Sequence, residues 1–217
     1  MIGMFKVVAL TTTMALGFGS LANAATVTYS NAEATPQFLL TVDDAVSPGK
    51  FRFSLATLVG TADFLGLGFN FGGTSLVQSA ITLISATRQD NTAINPALVL
   101  SGNNTGSQEK CGTGCNFKGA GSRSVFDYII RIGENGGGQN NYVKTVVFDI
   151  AATGSLTGLF TDFAVRAQAV NGNDSIKTDL EPNAPAPVPL PAGLPLLGSG
   201  LLAIGILRRR RTAKSAA

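Results

Sequence analysis

The chain contains no histidine and no tryptophan, and its 217 residues include only two cysteines and three tyrosines. Without histidine there is no Ser/His/Asp or Cys/His nucleophilic pairing, no imidazole metal ligand and no ordinary proton shuttle near neutral pH. Without tryptophan, the aromatic surface on which sugar rings could pack is small. These absences weigh against most hydrolases and metalloenzymes.

Paired carboxylates are the acid–base chemistry that remains open to this chain. A glycosidase needs two carboxyl groups about 5 to 9 Å apart. Lone acidic residues fall in or beside candidate strands at five positions, namely Asp63, Asp127, Glu134, Asp149 and Asp162. We expect a non-enzymatic protein, with a carboxylate-based glycosidase as the remote alternative.

The first 24 residues have the features of a secretory signal peptide. Lys6 precedes an apolar stretch at 7–16, and Ala22 and Ala24 occupy the two small positions of an A-x-A cleavage site. The segment is well short of the ~20 apolar residues that span a bilayer. We expect cleavage after Ala24, so that the mature chain begins at Ala25.

The C-terminus combines a Pro-rich spacer, a short apolar segment and a basic cluster. The spacer 181–187 holds three prolines and is expected to be extended and semi-rigid. From Leu190 to Leu207 a helix would reach about 27 Å, close to the hydrocarbon thickness, but prolines and glycines make it a marginal transmembrane anchor. Cationic residues are retained on the cytoplasmic side. We expect the four arginines that follow this segment to act as a stop-transfer signal, namely Arg208, Arg209, Arg210 and Arg211.

A five-residue motif precedes the apolar segment: Val188, Pro189, Leu190, Pro191 and Ala192. Motif, apolar helix and arginines, in this order at the C-terminus, resemble the VPLPA variant of the PEP-CTERM sorting signal. That signal is found on exported proteins of Gram-negative bacteria that also make exopolysaccharide. The resemblance is confined to about residues 185–211, with the sorting signal itself at 188–211.

The resemblance implies recognition by an exosortase, a membrane-embedded cysteine protease or transpeptidase that removes the tail near the motif. The five motif residues would be the recognition element and not a catalytic site. It further implies a precursor tethered in the inner membrane, and then a location at the cell surface or in the extracellular matrix. An ordinary tail anchor that follows a Pro-rich linker is the alternative.

The net charge of +3 does not indicate a nucleic-acid partner, because the excess positive charge lies in the targeting segments. Of the sixteen basic residues, six lie in the targeting segments, namely Lys6, Lys214 and the arginines 208–211, which leaves ten against thirteen acidic residues. The exported part therefore carries about −3, and its basic residues are scattered singly along the sequence. We accordingly expect no nucleic-acid partner, since such partners require clustered positive charge.

Residues 25–180 are predicted to form one all-β domain, because short runs alternate apolar and polar side chains between turn-rich segments. Abundant glycine with sparse lysine and glutamate argues against a helical bundle. We expect an antiparallel β-sandwich, jelly-roll-like, with a β-solenoid as the weaker alternative. The candidate strands are 26–30, 38–42, 51–55, 63–71, 80–86, 97–100, 126–132, 142–150 and 163–169.

Cys111 and Cys115 enclose the sequence Cys-Gly-Thr-Gly-Cys. In an exported protein, an even pair this close predicts a local disulfide. A zinc site would need two further strong ligands in a chain without histidine. The spacing also differs from the C-x-x-C of redox sites.

Three turn-like runs offer oxygen ligands, at 43–44, 133–141 and 171–174. Calcium prefers such ligands, but none of the runs has EF-hand or nonapeptide spacing, and Asx and Gly dominate turns for conformational reasons. We expect no cofactor, with calcium as the alternative. Two functions remain: a cell-surface or matrix protein associated with exopolysaccharide, and a carbohydrate- or calcium-binding surface module.

Overall fold

The structure, a computed structural model, describes residues 25–31, 35–118, 123–133, 142–172 and 174–183. The described chain is nearly all-β and forms two antiparallel sheets, which confirms the all-β, antiparallel part of the predicted fold. The predicted signal peptide, the sorting motif and the arginines lie outside the described residues. Within the described ranges, no helix has the length and apolar character needed to cross a membrane.

The first sheet has six strands. In spatial order they are β11 (Glu181–Pro182), β1 (Thr26–Ser30), β2 (Gln37–Ser47), β3 (Lys50–Val59), β8 (Val143–Ala151) and β5 (Ile81–Arg88).

The second sheet has five strands. In spatial order they are β10 (Asp174–Asp179), β9 (Phe160–Val170), β4 (Asp63–Phe71), β7 (Tyr128–Ile132) and β6 (Leu98–Gly102). A short 3-10 helix (Gln78–Ala80) precedes β5. A short turn, α1 (Leu156–Leu159), in which Thr157 and Gly158 have non-helical dihedrals, precedes β9.

The main core lies between the two sheets and is rich in phenylalanine. Strand β3 is an example: it buries every second side chain, including Phe51 and Phe53, while Arg52 and Ser54 stay partly exposed. Phe53 of β3 stacks on Phe148 of its own sheet at a centroid distance of 5.2 Å. It also meets Phe160 of the other sheet edge to face at 5.0 Å. Full burial of each such ring contributes about 1.5 to 3 kcal/mol.

A second, smaller cluster lies on the outer face of the second sheet. The segment 103–118, here called the disulfide segment, folds over this face. As a result β4 is buried on both sides, and every residue from Asp63 to Phe69 is buried. The cluster is formed by Leu65, Cys111, Cys115, Phe117, Phe126, Ile129 and Ala164.

All nine candidate strands correspond to strands of the structure, and the bounds of β1 and β4 agree to the residue. β10 and β11 were not predicted. β11 takes the first two residues of the predicted spacer 181–187 and pairs Pro182 with Tyr29. The first strand of the domain, β1, therefore pairs with the last strand, β11.

Candidate functional site

Two of the acidic residues singled out by sequence are held in buried polar contacts. The Asp63 carboxylate, 3% exposed, accepts hydrogen bonds from the Val143 backbone N–H and from Gln168 Nε2, both at 2.8 Å. Burial raises the pKa of Asp63 to about 6, against the opposing effect of these two hydrogen bonds. Asp149 forms an ion pair with Arg52, whose Nε lies 2.8 Å and Nη2 3.1 Å from the two carboxylate oxygens. Both carboxylates join neighbouring strands.

Asp127 and Asp162 are connected through Asn70. The Asn70 side chain accepts from the Asp127 backbone N–H and donates to Asp162 Oδ2, both at 3.0 Å. The Asp127 carboxylate accepts backbone N–H groups of Phe71 at 2.9 Å and of Gly106 at 2.7 Å. These contacts hold loop backbone in place. Glu134 lies outside the described residues.

Cys111 and Cys115 form the predicted disulfide, and both are buried at 2% and 1% exposure. The sulfur atoms lie directly over β4, because a Cβ at Gly66 would stand 3.1 Å from Cys115 Sγ and 3.2 Å from Cys111 Sγ. The disulfide therefore fastens the disulfide segment to the sheet. Its position inside an apolar cluster fits a structural role.

The runs considered for calcium contain oxygen atoms that already accept hydrogen bonds. Asp43 and Asp44, expected on a turn, lie within strand β2. Asp43 Oδ1 accepts from the Ala45 N–H and Asp44 Oδ1 from the Ala25 N–H, both at 2.7 Å. Asn171 Oδ1 accepts from a backbone N–H at 3.2 Å. Most of the run 133–141 and residue 173 lie outside the described residues. Within the described ranges no group of three or more Cys, Asp or Glu side chains is placed to hold a metal ion.

A surface cleft of about 260 Å³ opens where β1 and β11 approach β9 and β10. One wall is the half-buried ring of Tyr29, which packs edge to face on Phe163 at a centroid distance of 4.6 Å. Burial raises the pKa of Tyr29, so its phenol stays neutral and can donate and accept hydrogen bonds. The cleft is lined by Tyr29, Arg123, Thr161, Asp162, Phe163, Asp179, Leu180, Glu181 and Pro182.

The polar groups of the cleft are held in place from several sides. Arg123 Nη1 lies 2.8 Å from Asp162 Oδ1, and the Arg123 backbone N–H donates to Asp179 Oδ1 at 2.8 Å. Asp162 has a φ of +56°, a left-handed conformation that costs about 1 to 3 kcal/mol in a residue other than glycine. Its carboxylate is fixed by Asn70 at 3.0 Å and Thr161 at 3.2 Å.

An aromatic edge beside a guanidinium and three carboxylates offers donors and acceptors for vicinal hydroxyl groups. Sequence reasoning singled out Asp162, but it gave no reason to join it with Tyr29, Arg123 or Asp179. These residues come together because β1 pairs with β11 and β9 pairs with β10. β10 was not predicted, so the sequence carried no signal for this cleft.

No family model matches the chain, and neither the curated proteins nor the solved structures contain a significant match to it. Its function is therefore argued from its own residues.

Proposed function

We propose that this protein is an exported, non-enzymatic cell-surface or extracellular-matrix protein that an exosortase processes and that associates with exopolysaccharide. The observation that carries the proposal is the C-terminal order of motif, apolar segment and arginines, at 188–192, 193–207 and 208–211. The hydrogen bonds and ion pairs that engage four of the five candidate carboxylates favour structural roles for them over catalysis.

The way the domain ends supports this reading of the tail. The Asn183 N–H donates to the Thr28 carbonyl at 2.8 Å, and Asn183 Oδ1 accepts from Ser30 Oγ at 2.7 Å. Only the four residues 184–187 separate this attachment from the motif at 188–192. Four residues span at most about 14 Å, so in the precursor the domain would stand close to the membrane.

We further propose that the domain is a jelly-roll-like β-sandwich. The chain passes from the first sheet to the second and back repeatedly, at the connections β3 to β4, β4 to β5, β5 to β6, β7 to β8, β8 to β9 and β10 to β11. Such crossing between facing sheets is typical of Greek-key sandwiches.

Processing is tested by following the mass of both chain ends in an exosortase-positive host and in its exosortase-deletion strain. We expect Ala25 as the first residue in both strains. We expect a C-terminus near the motif only in the strain that has the exosortase. Replacing Pro189 and Pro191 by Ala should leave an uncleaved membrane precursor. Neutral residues at Arg208 to Arg211 should release full-length protein, since each arginine at the bilayer centre costs about 2.5 to 3.5 kcal/mol. An intact Ala217 in both strains would make the tail a plain anchor.

A second candidate function is glycan binding in the cleft, favoured because the Tyr29 ring and the Arg123–Asp162 ion pair line the same cleft. The test is a glycan array probed with the protein, followed by titration of any neutral oligosaccharide that binds. Asp179→Asn should weaken that binding about tenfold, because it alters a carboxylate that lines the cleft. Asp90→Asn, on an exposed turn of the first sheet, is the matched control. Equal affinities for both variants would exclude the cleft.

A further inference from the structure

Three basic residues lie in one cross-strand row on the outer face of the second sheet. Strand pairing places Arg131 opposite Gly66, Gly66 opposite Arg166, and Arg166 opposite Lys177. Directly paired residues point to the same face, and a Cβ at Gly66 would point at the disulfide sulfurs, which identifies this face. Neighbouring strands are about 4.8 Å apart, so the row spans roughly 14 Å. Arg131, Arg166 and Lys177 are called the basic row below.

Within the described ranges, the basic row has no carboxylate partner. Arg166 Nη1 donates to two backbone carbonyls at 2.7 and 3.2 Å, and Lys177 Nζ donates to Asn116 Oδ1 at 3.0 Å. The Nε atoms of Arg131 and Arg166 are buried without a hydrogen-bond partner. Asp179, two residues from Lys177 on the same strand, accepts a backbone N–H instead of forming an ion pair. The positive charges of the row are therefore not neutralised by neighbouring side chains.

This arrangement is electrostatically unfavourable as it stands. Like charges directly opposite each other on paired strands destabilise a sheet, and Arg166 and Lys177 form such a pair. Burial, and then the neighbouring charge of Arg166, lower the pKa of Lys177, while burial lowers the pKa of Arg166. An anion bound across the pair would offset the repulsion and supply acceptors for the remaining N–H groups.

We propose that the basic row binds carboxylate groups of an acidic polysaccharide. Guanidinium groups bind carboxylates through two parallel hydrogen bonds, and partial burial strengthens such contacts by limiting the solvent around them. Arg166 and Lys177 lie one strand spacing apart, and Arg131 lies two spacings from Arg166 on the far side of Gly66. Cations aligned in this way suit a polymer that repeats its carboxylates along one direction. The choice of a polysaccharide rests on the proposed function, because a protein of the exopolysaccharide matrix meets that polyanion first.

The site is held rigidly by the disulfide. Gly112 lies within the disulfide loop, and a Cβ there would stand 2.7 Å from Arg131 Nη1. At the other end of the basic row, Lys177 Nζ donates to Asn116 Oδ1 just after the loop. The disulfide segment thus positions both ends of the basic row, which lowers the cost of ordering these long side chains on binding.

The test measures binding of the full-length protein in detergent to polygalacturonate, with dextran as the neutral probe. The double variant Arg166→Gln, Lys177→Gln should lose about tenfold in affinity. The matched double variant Lys50→Gln, Lys144→Gln removes the same charge from the first sheet and should stay within about twofold of wild type. Arg131→Gln serves as an independent single change to the row, and thermal unfolding of each variant confirms that it is folded.

Three results would overturn the proposal: no binding of polygalacturonate by the wild type, equal loss in both double variants, or equal binding of dextran. Vesicle binding that replaces polygalacturonate binding, and that is lost in Arg166→Gln, Lys177→Gln but kept in Lys50→Gln, Lys144→Gln, would also overturn it. The vesicles are phosphatidylglycerol, and the ligand of the row would then be a lipid headgroup. Processing of the tail distinguishes a failure of the basic-row proposal from a failure of the proposed function. The basic-row variants keep the motif at 188–192, so they should be processed by an exosortase whether or not they bind polygalacturonate.

Discussion

A Cβ atom at Gly68 would stand 2.6 Å from Cδ2 of Phe126, closer than real side-chain carbons approach a ring. Phe126 is fully buried, and its ring packs on Phe117 at a centroid distance of 5.1 Å. The bare backbone of β4 at this position is therefore the surface on which the ring rests. Gly66, two residues earlier, provides the same kind of surface for the disulfide.

We predict that Gly68→Ala destabilises the protein by about 1 to 3 kcal/mol, because the added methyl group displaces Phe126 from a closely packed cluster. Gly66→Ala should cost less, since its Cβ would meet the sulfur atoms at 3.1 and 3.2 Å, a milder overlap. Urea denaturation of both variants measures the order. Combining Gly68→Ala with Phe126→Leu should recover part of the loss. A larger effect at Gly66 than at Gly68 would contradict the packing described.

The disulfide should be protected from reagents by the same cluster. We predict that native protein resists alkylation because a disulfide offers no free thiol, and that reductant alone acts slowly because Cys111 and Cys115 are almost completely buried. Reductant together with denaturant should expose both thiols at once. Closing so short a loop contributes roughly 2 kcal/mol in the entropic model, so the reduced protein should unfold at lower urea. Mass analysis after alkylation tests this, and rapid labelling of native, unreduced protein would exclude the disulfide.

The sequence predicted the inner core well, because β3 and its neighbours bury one face and alternate accordingly. The outer cluster was not predicted. Ile129 and Ala164 stand at positions expected to face water, yet the disulfide segment covers them. That segment has no period of its own, and its one phenylalanine, Phe117, finds its partner Phe126 only through packing against another part of the chain. The alternation of apolar and polar side chains predicts which face of a strand packs against the other sheet. It does not predict which part of the opposite face a loop covers.

The sequence did not predict β10 and β11, and the reason differs between the two strands. β10 reads Asp-Ser-Ile-Lys-Thr-Asp and has a single apolar side chain, Ile176, so no hydrophobic pattern marks it. Its strand conformation comes from pairing with β9 at the edge of the sheet. β11 contains Pro182, a residue that removes a ladder hydrogen bond and is tolerated at edges. The cleft depends on both strands, which is why sequence reasoning did not find it.

Signal cleavage after Ala24 would create a charged contact at the start of the domain. The Ala25 nitrogen lies 2.7 Å from Asp44 Oδ1, and the Asp44 N–H donates back to the Ala25 carbonyl at 3.2 Å. In the precursor this nitrogen is an amide, whereas in a chain beginning at Ala25 it is an ammonium group. We predict that Asp44→Asn costs about 1 kcal/mol more in the processed protein than in the uncleaved precursor. Denaturation of both forms, each with and without the substitution, measures the difference. Equal costs in both forms would place the N-terminus elsewhere.

Asp63 gives the domain a stability that depends on pH. Burial raises its pKa from 3.8 to about 6, so the folded state holds the proton more tightly than the unfolded state. The stabilisation from the neutral carboxyl group is therefore complete below about pH 4 and is lost as the pH rises through about 6. The difference is on the order of 3 kcal/mol. Asp63→Asn should remove this dependence and be at least as stable as wild type near neutral pH, because the amide oxygen still accepts from the Val143 N–H. Gln168 can rotate its amide to accept from the new NH₂ group.

Urea denaturation at several values between about pH 4 and pH 7 tests this, with Asp149→Asn as the matched control. Asp149 is paired with Arg52 at 2.8 Å, so its replacement leaves a half-buried guanidinium without its partner. That variant should lose stability near neutral pH, because the ion pair is lost, while it keeps the slope that Asp63 produces. The two substitutions remove the same charge from the same domain and should act in opposite directions. If Asp63→Asn also loses stability near pH 7, then the hydrogen bonds to the charged carboxylate outweigh the cost of burying it.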